Sequence, residues 1–322
     1  MTTDKSITRV LVAGASGASG CCVVEALLSR GYQVIAVVRP GTAWAMTHER
    51  LEVVRAEVSR EPRWHQRVMA CDAVVSCLAS RTGSAQDARR VEFDANRSVL
   101  AAAEHWQVKR FLLLSAICVQ KPRLAFQKEK LRFEDCLRQS LVPWTIVRPT
   151  AFFRSLSGQV SRVQAGKAFL VFGNGALTAC KPIAGEDLAH FMVDRLEDPG
   201  SVGKMLPIGG PGPALTPNDQ VALLARLLNR PIKTRSIPPG FFLALARLFD
   251  GLGWLLPRCR DRAEFLRIAH FYATESMLVW DTAGCCYRPD HTPETGTVRL
   301  EDFYSALLSG EAQAELREHK LF

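Results

Sequence analysis

None of the ten cysteines forms a C-x-x-C pair, and no cysteine or histidine spacing suits a zinc or iron–sulfur site. A structural metal is therefore not expected, and the scattered thiols read as reduced in a cytosolic compartment. An apolar leader is also lacking. MTTDKSITRVLVAG runs almost at once into a strand pattern, which leaves no room for a signal or transit segment. The longest apolar run, Phe241 to Pro257, is too short to span a bilayer and is interrupted by Arg247 and Asp250. It reads as a buried helix, or as a surface for a membrane or a flat apolar ligand. No block of Lys and Arg stands out. The net charge of +9 is spread along the chain, so nucleic acid is not an expected partner, whereas anionic small molecules are. Internal repeats and low-complexity tracts are missing too.

What is present is an alternation. Apolar, β-branched runs at Arg9–Ala13, Gln33–Val38, Leu51–Ala56, Ala73–Cys77, Phe111–Ser115 and Trp144–Val147 are separated by helical patterns near Gly20–Ser29, Ser84–Trp106 and Arg123–Gln139. Fully apolar strands between helices imply a parallel sheet covered on both faces. The expected fold is α/β, a doubly wound Rossmann-type sheet over residues 1–150. Residues 151–322 are expected to form a smaller, mostly helical substrate-side region. In it, Glu186-Asp187 opens one helix, Thr216-Pro217 caps another, and Lys204–Ile208 returns to the sheet edge.

The first strand is followed by a G-x-x-G-x-x-G turn containing Gly14, Ser16, Gly17 and Gly20. Glycines let the backbone approach a pyrophosphate, and the helix that follows favours its negative charge. The second strand ends in Arg39, with no carboxylate beside it. A guanidinium there suits a 2′-phosphate, so NADPH is the expected cofactor. Glu57 is placed near the adenine, and Leu78 and Ala79 form a small surface over which the cofactor can lie.

The stretch LLLSAICVQKPRLAFQKEK, Leu112 to Lys130, carries the chemistry. A strand ends in Ser115, and a later helix carries Phe126 and Lys130 one turn apart. This is the spacing of the Ser…Tyr-x-x-x-Lys group of short-chain dehydrogenases, with phenylalanine in place of tyrosine. Ser115 and Lys130 are the candidate catalytic residues, and Lys130 also the one to hold the nicotinamide ribose. Without the phenol, acid catalysis on a carbonyl oxygen is crippled, whereas hydride addition to a conjugated carbon–carbon double bond is not. Tyr272 and His270 lie in the substrate-side region as possible proton donors, but neither is singled out.

Longer segments are more specific: VVSCLASRTG from Val74, IVRPTAFFRSLSGQV from Ile146, ACKPI from Ala179, LPIGGPGPALTP from Leu206, YATESMLVWD from Tyr272 and TPETG from Thr292. With these the chain resembles the NADPH-dependent divinyl chlorophyllide a 8-vinyl reductases, which are related to the short-chain dehydrogenases. The resemblance covers about residues 8 to 322. It implies reduction of the C8 vinyl group of a divinyl chlorophyllide or protochlorophyllide to ethyl by NADPH. It also explains Phe126, since that substrate's reacting group has no oxygen. It implies a tetrapyrrole partner whose flat face suits Phe241–Leu256. A bacterial cytoplasmic location is expected, with peripheral membrane contact left open. Three departures stand out: the GASGASGCC turn is less bulky than in relatives, Glu57 replaces an aspartate, and His291 replaces a small residue. Two other readings stay open. One is a reductase of another conjugated double bond. The other is an NADPH-binding sensor or assembly protein that catalyses nothing.

Overall fold

Seven strands pair in parallel into one sheet. They are β1 (Arg9–Ala13), β2 (Gln33–Val38), β3 (Leu51–Arg55), β4 (Ala73–Ser76), β5 (Arg110–Leu114), β6 (Trp144–Pro149) and, after β7 (Phe169–Phe172), β8 (Lys204–Ile208). The order across the sheet is β3-β2-β1-β4-β5-β6-β8, with β7 paired instead to β9 (Thr234–Ile237). A short antiparallel hairpin joins β10 (Val279–Asp281) to β11 (Cys286–Arg288). The structure, a computed structural model, describes residues 7–252 and 257–311.

The helices are α1 (Ala18–Ser29), α2 (Ala85–Ala88), α3 (Asn96–His105), α4 (Ala125–Gln139), α5 (Phe153–Leu156), α6 (Val160–Gln164), α7 (Gly185–Glu197), α8 (Pro217–Leu227), α9 (Gly240–Leu252), α10 (Pro257–Thr274) and α11 (Leu300–Ser309). Thr216 caps α8 through its hydroxyl, with Pro217 at the first helical position. One expectation is refined. The Ser84–Trp106 pattern is not a single α-helix, because residues Arg89–Ala95 between α2 and α3 widen into a π turn.

Strand alternation sorts the core into two layers. Along β5, Leu112 and Leu114 pack with Leu188 and Met192 of α7 and with Val23 and Leu27 of α1. Phe111 and Leu113 pack on the other face with Phe133 and Leu137 of α4 and Val99 and Leu100 of α3. Each fully buried side chain of this size contributes about 1.5–3 kcal/mol of apolar transfer. The strand order reverses between β1 and β4, and such sheets bind their ligands beyond the strand tips at that switch point.

β8 pairs with β6 from Thr145 to Pro149 and closes the sheet. The 150–311 part has its own apolar cluster, with Leu224 of α8 and Leu300 and Tyr304 of α11 buried. On α9, Phe242 and Ala246 are buried, Phe242 against Ala269 and Ala273 of α10, while Phe241 and Leu248 are 57% and 60% exposed. The expected apolar run is thus one helix with a covered and an open face. Gly253–Leu256 of that run, and the first six residues, lie outside the described residues.

Candidate active site

The glycine turn fits a dinucleotide in three respects. Gly14 has φ +78°, and a Cβ there would lie 2.8 Å from the Cys77 carbonyl oxygen at the tip of β4. A Cβ on Gly20 would lie 2.2 Å from the Gly14 carbonyl oxygen, so only glycine lets α1 pack this close to the turn. Gly17 is the N-cap of α1. No side chain caps the helix, and no acidic residue stands in its first turn. The first N–H groups are therefore left for an anion. Gly17 is exposed and Ser16 half-exposed at this mouth. Burial pushes the nearby thiols of Cys22 and Cys77 up to about 11 and about 12, so no thiolate repels a phosphate there.

Arg39 directly follows β2 and is half-buried. Its guanidinium has no ion pair or hydrogen bond among the described residues. Glu57 lies after β3, where its carboxylate accepts from Ser59 Oγ at 3.0 Å. Leu78 and Ala79 follow β4, half-buried and exposed respectively.

Lys130 is held from below. Its Nζ lies 2.8 Å from Glu92 Oε2, with the lysine side chain 11% exposed and the glutamate 2%. The other carboxylate oxygen of Glu92 accepts from the backbone N–H and hydroxyl of Ser80, at 2.8 and 2.9 Å. Glu92 sits in the π turn. Asn96 Nδ2 donates to the Glu92 and Val91 carbonyls at 3.0 and 3.3 Å, which satisfies backbone groups in the widened turn. Asn96 is itself held by Ser76 Oγ. A chain of polar contacts thus runs from the β4 tip through the π turn to Lys130 on α4. An ammonium has three N–H donors, and one carboxylate does not use them all. The sequence reading did not find Glu92, Ser80 or Asn96. Their only sequence signal is polarity at positions where the helical pattern faces the core.

Ser115, at the end of β5, is turned inward. It is buried, and its hydroxyl donates to Glu134 of α4, which also pairs with Arg148 of β6. Ser115 and Lys130 line the same interior gap with Glu92, Asn96, Leu113 and Phe133, and that gap is too small for a water molecule. The hydroxyl proton goes to Glu134 and ties the tip of β5 to α4.

Phe126 packs in a separate apolar cluster with Ala116, Ile117, Cys118, Phe271 and Tyr272. The start of α4 is fixed by the buried Gln127. Its Oε1 accepts from the N–H groups of Arg123 and Leu124 at 2.8 and 2.9 Å, and its Nε2 donates to the Cys118 carbonyl at 3.1 Å. The β10–β11 hairpin is tied to the same loop. Lys121 pairs with Glu275 at 2.6 Å and lies 4.1 Å from the centre of the Trp280 ring, while Gln120 Oε1 accepts from the Trp280 N–H at 2.9 Å.

A family model described as NAD(P)H-binding matches residues 14–199. The divinyl chlorophyllide a 8-vinyl-reductase of Oryza sativa subsp. indica is 42% identical over 98% of this chain and 83% of its own length. The chain belongs to the divinyl chlorophyllide a 8-vinyl-reductase family. The Arabidopsis thaliana member is 38% identical over 96% of this chain and 79% of its own length. An NADPH-dependent quinone oxidoreductase from Escherichia coli, solved with NADPH, shares the fold. Its TM-score is 0.67 at 19% identity, over 92% of this chain and 99% of that one. The family is one of NAD(P)H-binding oxidoreductases on a Rossmann-type sheet, as the sequence led us to expect. No helix among the described residues is long and apolar enough to cross a membrane.

Proposed function

We propose that the protein reduces the C8 vinyl group of divinyl chlorophyllide a, or of the corresponding protochlorophyllide, to ethyl at the expense of NADPH. The observation that carries this reading is the pair of residues on α4. In a member of the 8-vinyl-reductase family, Lys130 is held by Glu92 at 2.8 Å, while Phe126 stands where a carbonyl reductase needs its phenol. The cofactor, when bound, supplies a hydride.

The chain's own residues do the rest. The turn from Gly14 to Gly20 and the uncapped start of α1 receive the pyrophosphate. Arg39 pairs with the 2′-phosphate, which supports NADPH over NADH. Lys130, fixed by Glu92, donates to the ribose hydroxyls and keeps the nicotinamide against the strand tips. Leu78 and Ala79 offer it an apolar surface. Phe126 keeps the reacting side apolar, which suits an alkene and excludes water. Ser115 acts at one remove, through Glu134. The macrocycle is conjugated with the vinyl group and takes up the negative charge.

Purified protein incubated with NADPH and divinyl chlorophyllide a should shift the Soret band slightly to the blue as the vinyl group is lost. No shift with fresh NADPH, while the protein still binds it, would favour a sensor or assembly protein. Turnover of other conjugated alkenes but not of the pigment would point to a reductase of another substrate.

A further inference from the structure

The reduction needs a proton as well as a hydride, and α4 offers no acid at position 126. A phenol from α10 joins the apolar cluster that holds Phe126. Tyr272 packs in the cluster that holds Phe126 and Ala116, and Phe271 meets it edge-on at 5.6 Å. The start of α4 is tied to α10 by Glu264, which accepts from the Ala125 N–H at 3.1 Å. The Tyr272 hydroxyl lies 4.0 Å from Cys118 Sγ, a weak acceptor at long range, and has no other hydrogen-bond partner among the described residues. Two other phenols are committed. Tyr287 donates to Glu275 at 2.5 Å, and Tyr304 donates to the Leu156 carbonyl at 2.9 Å.

We propose, building on the reductase reading above, that Tyr272 is the proton donor of the reaction, supplying from α10 the phenol that α4 lacks at Phe126. The hydride and its two electrons come from NADPH, which leaves as NADP⁺. One vinyl carbon takes the hydride, and the electron pair of the double bond passes to the other carbon and the ring. The Tyr272 O–H bond then breaks, its electron pair stays on oxygen, and the proton forms a C–H bond at that second carbon. Water returns a proton to the phenolate, so the sum is one NADPH and one proton per ethyl group.

The surroundings keep the phenol neutral. Burial first, then Cys118 and the Glu92 carboxylate, raise Tyr272 well above its usual 10. Burial raises Cys118 as well, against the opposing charge of Lys130. The titratable groups facing the phenol are thus a neutral thiol on the loop after β5 and the Glu92–Lys130 pair on the π turn and α4.

The full chain with Tyr272→Phe tests this. The expected result is a fall in kcat of about 100-fold, with NADPH affinity and pigment KM within about twofold of wild type. A kcat within about threefold of a working wild type overturns the assignment and leaves the reductase reading standing. A wild type that does not reduce the pigment overturns both. A second variant keeps the shape of the site: 3,5-difluorotyrosine placed at position 272, whose phenol is more acidic. Its ¹⁹F resonance should shift when divinyl chlorophyllide a is added without NADPH. The alkaline fall in kcat should also come down into the measurable pH range. A resonance indifferent to pigment, or an unmoved alkaline limb, overturns the proposal without any loss of fold.

Discussion

Lys130 and Glu92 meet at 2.8 Å beneath the strand tips, one on α4 and the other on the π turn, both nearly closed off from solvent. Neither is an ordinary surface partner. A buried charge with its partner removed is costly, and a glutamate already holding Ser80 cannot turn outward. The pair therefore joins two tasks: it keeps the π turn against α4 and aims the ammonium.

Lys130→Ala should therefore damage stability as well as turnover, by about 3 kcal/mol in chemical unfolding. The double variant Lys130→Met with Glu92→Gln removes both charges and should recover most of that loss. It should recover no activity. Denaturant midpoints and turnover measured on the same preparations separate the two effects. Recovery of turnover in the double variant would mean that the ammonium has no role beyond packing.

On the proposed pairing of Arg39 with a 2′-phosphate, Arg39→Ala should raise the Kd for NADPH about tenfold and leave that for NADH unchanged. Fluorescence titration of both cofactors reads this directly. A parallel loss would show that Arg39 supports the β2 tip rather than a phosphate.

Gly14→Ala should abolish cofactor binding. The new methyl would meet the Cys77 carbonyl oxygen at 2.8 Å, and φ +78° costs an alanine about 1–3 kcal/mol before that clash is counted. Calorimetric titration should show no heat with NADPH. Unchanged binding would mean that the turn opens more easily than its packing against β4 suggests.

Asp72 makes acid stability testable at a site remote from the chemistry. Burial tends to raise its pKa, but hydrogen bonds from the Arg9 and Thr8 N–H groups and the Thr8 hydroxyl, with Lys109 nearby, outweigh this and bring it down to about 2. The folded value lies below the ordinary 3.8, so the carboxylate's contribution is complete above 3.8 and fades as pH falls towards 2. Asp72→Asn should lower the melting temperature at neutral pH and flatten its fall across that acid window. A slope equal to wild type would argue that other carboxylates govern acid unfolding.

The sheet was legible in the sequence because its inner strands are apolar on both faces, and Arg9–Ala13 and Gln33–Val38 are the observed strands to the residue. The glycine turn was legible because its spacing answers to steric contacts that only glycine avoids. The π turn was not. Widening one turn leaves the apolar pattern of residues 84–106 almost intact, and the buried Glu92 looks like any polar residue of an amphipathic helix. Nor does sequence spacing show that a phenol on α10 joins the cluster that holds Phe126, since 146 residues separate them and only the fold brings them into one cluster.

Ser115 was the residue most open to a better reading. Strand alternation alone puts it on the face of Phe111 and Leu113, which is the face that α4 covers. Its hydroxyl accordingly meets Glu134. Ser115→Ala removes one donor from a carboxylate that Arg148 still pairs, so the cost should be about 1 kcal/mol in stability. Turnover should fall less than about tenfold, because α4 keeps its place through Arg148 and the Lys130–Glu92 pair. A hydroxyl that touched the reacting atoms would instead cost about 100-fold or more with little change in melting temperature. Turnover and thermal unfolding of this one variant therefore decide between a strut and a participant, and a large loss of turnover in a fully stable protein would return Ser115 to the chemistry.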